Sequence, residues 1–328
     1  MRRLAAVVSI LALGLALLIG GDQAAAGAGS GPPLGVPAKT LAAALSCSGD
    51  LGGAGPTPVL LVPGTTLTAE VNFSWNYETV FSAAGRPWCA VTLPNHAMSD
   101  IQVAGEYVVS AIRTMHEWSS RRISVVGFSQ GGMVPRWALK WWPDTRAMID
   151  DLVGIDPSNH GTLDAQPICL PGCAPSIWQQ RNGSAFLTAL NAGQETYPGI
   201  SYTQMYTATD EVVVPNLGPA ASSALHTGPG RISNVLVQAI CPVHLADHLT
   251  MGTFDPVAYA LVIDALSHDG PADAARVARS VCTEPTIPGL NPVSVLANFT
   301  RLATVAATQV ALYPHVPAEP PLAAYTRG

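Results

Sequence analysis

Charge is scarce in this chain. Only 12% of its 328 residues are Asp, Glu, Lys or Arg, and the formal net charge is −6. No run of basic residues occurs, so a nucleic-acid surface has no electrostatic basis. There is no C-x-x-C pair, which leaves a zinc reading weak, and neither a metal nor a cofactor is expected. No internal repeat occurs, which argues against a solenoid or propeller. The longest apolar run, Leu4 to Ile19, is short for a membrane span. It follows the basic Met1-Arg2-Arg3 and precedes Ala24-Ala25-Ala26, small residues rather than a charged stop. Residues 1–26 therefore read as a secretory signal peptide cleaved near Ala26, and the protein as extracellular. Removing Arg2, Arg3 and Asp22 takes away +1 and leaves −7.

About 300 residues remain, enough for one large domain with a real core. The six cysteines suit an oxidising compartment and allow 15 pairings, among which sequence alone does not choose. Residues 27–46 form a lead-in, with a short helix over Ala38–Leu45. Pro58-Val59-Leu60-Leu61-Val62 is a continuous apolar run, as in a parallel strand buried on both faces. Further strands are expected at Cys89–Leu93, Ile123–Gly127, Asp151–Ile155, Tyr202–Tyr206 and Val235–Ile240. Helices are expected at Tyr77–Ala84, after Asp100, after Ser129, and at Val257–Leu266 and Ala272–Val281. Pro135 in the helix after Ser129 is tolerable in a first turn but not deep inside. This alternation predicts an α/β fold with a mostly parallel sheet flanked by helices, a single domain over 47–328. A cap-like loop at about 164–183 and an apolar helix at about 291–312 fall outside the regular units.

Gly127-Phe128-Ser129-Gln130-Gly131 follows a predicted strand and opens a predicted helix. That is the setting of a G-x-S-x-G nucleophile elbow, which exposes a serine hydroxyl where backbone N–H groups can hold an oxyanion. The bare pattern arises by chance in roughly one such chain in six, so the context carries the weight. A serine nucleophile needs a base, and the base an orienting acid, in the order Ser, acid, His. Asp210, just past the strand Tyr202–Tyr206, is the best acid, with Glu211 and Asp164 as rivals. Four histidines follow it. His226 lies in a Gly/Pro-rich loop and His268 after a helix, while His244 and His248 both follow the strand expected at Val235–Ile240 and remain tied. The N–H of Gln130 and the loop Pro63-Gly64-Thr65 supply an oxyanion hole.

Leu60-Leu-Val-Pro-Gly-Thr65, Ser129-Gln-Gly131, Ala174-Pro-Ser-Ile-Trp-Gln-Gln180, Tyr206-Thr-Ala-Thr-Asp210-Glu211 and Ala246-Asp247-His248 occur in this order. Together they resemble the family of Candida antarctica lipase B and its bacterial relatives, from about Cys47 to Cys282. The resemblance implies an α/β-hydrolase fold and carboxylic-ester hydrolysis, with Ser129 as nucleophile, Asp210 as acid, His248 as base, and Thr65 and Gln130 as oxyanion donors. It places Phe128, Ser158 and Gln180 at the substrate pocket. Phe128 and Ser158 stand where the fungal member has Trp and Asp. It also implies the disulfides Cys47–Cys89 and Cys241–Cys282. Cys169 and Cys173 are extra to the family pattern and are predicted to pair, stiffening the cap-like loop.

The leading expectation is a secreted, monomeric lipase or esterase acting on lipid or small esters, with transient contact at a lipid interface. Val295, Phe299, Leu302, Ala306 and Val310 form one stripe of the last helix, which reads as core packing or as a pocket wall with a lipid-facing rim. An acyltransferase or polyester depolymerase shares the fold. A catalytically dead binding protein is disfavoured, because all five catalytic positions carry suitable residues.

Overall fold

The computed structural model describes residues 29–327, so the predicted signal segment lies outside them. Seven strands form one sheet: β1 (Leu45–Cys47), β2 (Val59–Val62), β3 (Trp88–Val91), β4 (Ile123–Phe128), β5 (Ile149–Ile155), β6 (Ser201–Tyr206) and β7 (Arg231–Leu236). Their order is β1-β3-β2-β4-β5-β6-β7. Only β1 runs antiparallel, and its Cys47 sits opposite Cys89 of β3, where the two are disulfide-bonded.

Burial explains the apolar runs. All four residues of β2 and all six of β4 are buried. Successive side chains alternate faces: Leu60 and Val62 join one core layer, Val59 and Leu61 the other. The first layer lies under the helices Ile101–Ser119 and Gln130–Trp141, the second under Ala69–Phe73, Tyr77–Ala83 and Pro256–Ser267. Asp100 caps the long helix by accepting from the Gln102 N–H at 2.9 Å. Gly85, at φ +64, ends Tyr77–Ala83 as expected.

Three expectations need correction. The last strand is Arg231–Leu236, not Val235–Ile240. It is an edge strand with exposed and half-buried residues such as Arg231 and Ser233, whereas the apolar Val237 and Ile240 are buried in and after a 3-10 turn. Hydropathy marked the burial and missed the ladder. Ala272–Val281 is not one helix but carries two 3-10 turns, Ala274–Arg276 and Arg279–Thr283, joined by extended Val277 and Ala278. Anchors at both ends hold it open: the Arg276 guanidinium binds both oxygens of Asp264 at 2.8 and 2.7 Å, and Cys282 is bonded to Cys241. Pro135 lies inside the helix that starts at Gln130, yet that helix continues to Trp141.

Beyond the last helix, Pro292–Leu312, the chain straps back across the molecule. Val316 exchanges two backbone hydrogen bonds with Cys173 of the cap-like segment. The Glu319 carboxylate accepts the N–H groups of Ala185 and Phe186 at 2.9 and 2.8 Å. The Tyr325 ring packs among Trp137, Trp141 and Trp142, and its hydroxyl accepts from Trp137 Nε1 at 3.0 Å.

Candidate active site

Ser129 stands between β4 and the helix Gln130–Trp141 with φ 53° and ψ −123°. A non-glycine residue there carries roughly 1–3 kcal/mol of backbone strain. The surrounding backbone holds it: the Ser129 N–H donates to Ile155 O at 2.8 Å, and the Gly132 N–H donates to Ser129 O at 2.9 Å. The two glycines are required by close approach. A Cβ on Gly127 would lie 2.0 Å from the Gly131 carbonyl oxygen, and a Cβ on Gly131 would lie 2.1 Å from the Val62 oxygen. Pro135 belongs to this arrangement. Having no N–H, it leaves the Gly131 carbonyl without its helical donor, and that oxygen faces Gly127 instead.

Asp210 follows β6 and is buried. Its Oδ1 accepts from the N–H groups of Val212 and Val213 at 2.9 and 2.8 Å, and its Oδ2 faces His248 Nδ1 at 3.0 Å. Burial pulls the Asp210 carboxyl upward. The His248 charge and hydrogen bond, with the N–H groups of Val213 and Val212, outweigh that and hold it below its ordinary value. With Nδ1 on a carboxylate, His248 Nε2 is the free nitrogen, and both His248 and Ser129 line one cavity. Among the described residues the serine and the imidazole are not yet hydrogen-bonded to each other.

The structure separates the rivals. His244 Nε2 lies 2.5 Å from Asp255 Oδ2, the residue that caps the helix Pro256–Ser267. Although four positions apart, His244 and His248 thus address different carboxylates rather than one cation. His226 lies beside His160, rings tilted and centroids 5.7 Å apart, and His268 lies by Asp264. Glu211 accepts from the His248 backbone N–H at 3.1 Å. Asp164 lines the same cavity, but the carboxylate on the His248 ring is that of Asp210.

Thr65 and Gln130 come together. The Thr65 hydroxyl oxygen accepts from Gln130 Nε2 at 3.2 Å and from Gln180 Nε2 at 2.9 Å. Ser158 Oγ donates to Gln180 Oε1 at 2.8 Å and so fixes which way that amide faces. The Gln130 N–H is the first of its helix and has no intrahelical acceptor. Phe128 is buried and lies against the His248 ring, centroids 4.8 Å apart. Gly64 and Gly252 admit it, since a Cβ on either would strike the Phe128 ring at 2.8 or 2.2 Å.

The cavity holds about 420 Å³. Ser129, Thr65, Gln180 and His248 form its polar end; Ile168, Ile177, Val213, Leu249, Ala306 and Val310 are among its apolar lining. The last helix both packs on the core and lines the cavity. Val295 and Leu302 pack inward, while Ala303, Ala306, Ala307 and Val310 line the cavity. Phe299 meets Phe254 edge-on at 5.3 Å. Cys169 and Cys173 are bonded within the cap-like segment, beside the cavity residue Ile168.

Sequence reasoning missed three residues here. Asn72 opens an Asn-Phe-Ser triplet, which is a glycosylation sequon only in a eukaryotic host and is expected to be unmodified; it is fully buried, its Oδ1 accepting from the Gly64 N–H and its Nδ2 donating to Gly252 O, both at 3.2 Å. It therefore pins the loop Pro63-Gly64-Thr65. Asn216 donates to Asp210 Oδ2 at 3.1 Å. Asp156, at the end of β5, sits beside Asp210: one oxygen of each and a ring nitrogen of His248 lie within 4.8 Å of one another. In the sequence, the Asp156-Pro157 step reads only as the end of the strand Asp151–Ile155.

A parallel sheet carrying a serine elbow, with a buried Asp–His pair past later strands, defines an α/β-hydrolase. A family model described as "Putative serine esterase (DUF676)" matches residues 94–167, the stretch from before the long helix to the cap-like segment. Lipase B of Pseudozyma antarctica is 36% identical over 306 residues, covering 91% of this chain and 87% of that protein. The crystal structure of Aspergillus fumigatus lipase B matches with a TM-score of 0.82 at 32% identity, over 91% of this chain and 74% of that one. Bacillus licheniformis lipase BlEst2 in its propeptide form, at 14% identity and a TM-score of 0.51 over 70% of this chain and 54% of that one, shares the fold alone. The chain belongs to the lipase B family and is a carboxylic ester hydrolase.

Proposed function

We propose that the protein is a secreted lipase or esterase that cleaves lipid esters through Ser129, His248 and Asp210 and an acyl-enzyme. The observation that carries this reading is the Asp210–His248 pair on the cavity that Ser129 lines, with Thr65 beside it and an apolar wall opposite. His248 Nε2 takes the Ser129 proton as Oγ attacks the ester carbonyl. The carbonyl oxygen becomes an oxyanion and is held by the N–H groups of Thr65 and Gln130 and by the Thr65 hydroxyl. The imidazolium, steadied by Asp210, then gives its proton to the departing alkoxide, and the alcohol leaves. Water enters, His248 removes its proton, and the acyl-enzyme is cleaved to the acid and free Ser129.

The apolar lining suits acyl chains, and exposed Leu163, Ile168, Leu170 and Leu312 suit contact with a lipid interface. Three disulfides suit an extracellular setting. The test compares Ser129→Ala with wild type on short and long p-nitrophenyl esters and on emulsified triglyceride. Loss of turnover in the variant is expected, and unchanged turnover would sink the serine mechanism. A wild type inactive on every ester would point to a binding protein. Preference for short soluble esters without gain at an interface would make it an esterase.

A further inference from the structure

Asp156 is a second acid packed against the proposed triad acid, and nothing in the mechanism above uses it. It is fully buried at the end of β5, with φ +43°. Its Oδ1 accepts from the Thr207 N–H at 3.0 Å and more weakly from Asn216 Nδ2 at 3.4 Å. Asn216 Nδ2 also reaches Asp210 Oδ2, at 3.1 Å, so one amide touches both carboxyl groups. The other oxygen, Oδ2, is buried with no N–H or hydroxyl donor at all.

Two ionised carboxylates in such a dry site would repel strongly with one amide between them. The balance of donors says which one is charged. Asp210 has two backbone N–H groups, the His248 ring and Asn216. Asp156 has one backbone N–H and a share of Asn216. Its bare oxygen calls for a proton of its own, and a carboxylic O–H needs an acceptor. Asp210 is the one that carries negative charge. Burial, then the Asp210 charge, pushes the Asp156 carboxyl well above its usual range, and Asp255 at the cap of the next helix acts in the same direction.

We propose that Asp156 donates a carboxylic O–H to Asp210, and so acts as a positioning residue that fixes and partly neutralises the acid behind His248. No proton is transferred in the cycle; the O–H stays on Asp156 throughout. The donated bond spreads the Asp210 charge, which moderates its pull on the imidazolium and lets His248 release its proton to the leaving alcohol. The inference rests on Asp210 and His248 having the roles proposed above. The charged and titratable groups around the site are Asp210 and Glu211 from the loop after β6, His248 from its own turn, and Asp255 from the helix behind it.

The test uses the full mature enzyme with Asp156→Asn and Asp156→Ala. Asn suits the positive φ, keeps an acceptor for Thr207 and offers an N–H to Asp210. The acidic limb of kcat/KM against pH reports loss of the free base by protonation. It should hold its midpoint in D156N. In D156A it should move to higher pH by about half to one unit, with kcat down about 10–100-fold and KM little changed, the scale of one hydrogen bond to a charged group. A limb that moves to lower pH in D156N would mean that a negative charge had been removed, which overturns the proposal. So would a limb unmoved in both variants. Should D156A fail to fold, infrared difference spectra of wild type against D156N decide: a protonated-carboxyl band at pH 8 in wild type, lost in D156N, is expected, and its absence refutes the idea. Parallel Asp210→Asn and Ser129→Ala variants keep the two readings apart. If they retain turnover, the triad assignment fails, while the infrared band still answers for Asp156.

Discussion

The Gln180 side-chain amide donates to the Thr65 hydroxyl oxygen at 2.9 Å. Gln130 Nε2 fills the second acceptor position of the same oxygen at 3.2 Å. A hydroxyl has two lone pairs and one proton. With both lone pairs occupied by N–H groups, the proton has to be donated elsewhere, and the open direction is the cavity that Thr65 lines. On the proposed mechanism, that hydroxyl is aimed at the oxyanion before substrate arrives.

Thr65→Val removes that proton at nearly constant volume. We expect kcat to fall by roughly 10²–10³, the cost of one oxyanion donor, with the fold intact. Thr65→Ser should recover most of the loss. Gln180→Leu leaves the hydroxyl in place but frees its rotor, so kcat should fall by about tenfold, the worth of one neutral hydrogen bond. Steady-state kinetics on one soluble ester suffice. A Gln180→Leu loss as large as that of Thr65→Val would mean that Gln180 touches substrate directly.

How much of this was legible in the chain follows from the reach of each signal. β2 and β4 are buried on both faces, so their apolar runs announced them. The elbow was legible because glycine is forced at 127 and 131 by backbone contacts within a few residues or one strand away. β7 was misplaced because an edge strand half open to solvent has no hydropathy signal, while the buried turn after it has a strong one. The choice between His244 and His248 depends on which carboxylate each meets, Asp255 or Asp210, and that is a tertiary fact. Only the family motif around Asp247-His248 anticipated it. Asp156 and Asn72 carried no functional signal, because an Asp-Pro step after a strand reads as a strand end and an N-x-S triplet as a sequon. Asp156 meets Thr207, 51 positions on, and Asn72 ties Gly64 nearby to Gly252, 180 positions on.

The stripe of small residues on the last helix sets the width of the cavity. Ala303, Ala306 and Ala307 line it from one side, facing the half that Ile168 and Ile177 close from the cap. Ala306→Trp fills part of the roughly 420 Å³ while leaving the polar end untouched. We expect kcat/KM on a long-chain ester to fall by at least about tenfold and that on an acetate to stay within about threefold, since each excluded methylene is worth on the order of 1 kcal/mol. The readout is the ratio across a p-nitrophenyl ester series. A uniform loss at every chain length would place Ala306 outside the acyl path.

A stability test separates the scaffold from the site. Asp151 lies in β5 almost fully buried, with Ser124 Oγ donating to its Oδ2 at 3.1 Å. Burial first, then the neighbouring Asp150 charge, pushes its carboxyl up to about 7, against the lowering pull of Ser124, Ser201 and Arg231. The ordinary value is 3.8, so the folded protein holds this proton more tightly than the unfolded chain does. Stability on this account falls as pH rises from about 4 and levels off above about 7, where both states are ionised. Asp151→Asn keeps the Ser124 contact and removes the charge. Its melting temperature should exceed that of wild type by a few degrees at pH 8, on the order of 1 kcal/mol or more for a domain of this size, and match it near pH 4. Because Asp151 sits at the opposite end of its strand from Ile155 and Asp156, the variant's kcat and its acidic limb should stay those of wild type. A gain that was equal at pH 4 and pH 8 would show that packing, and not the buried charge, limits stability at this position.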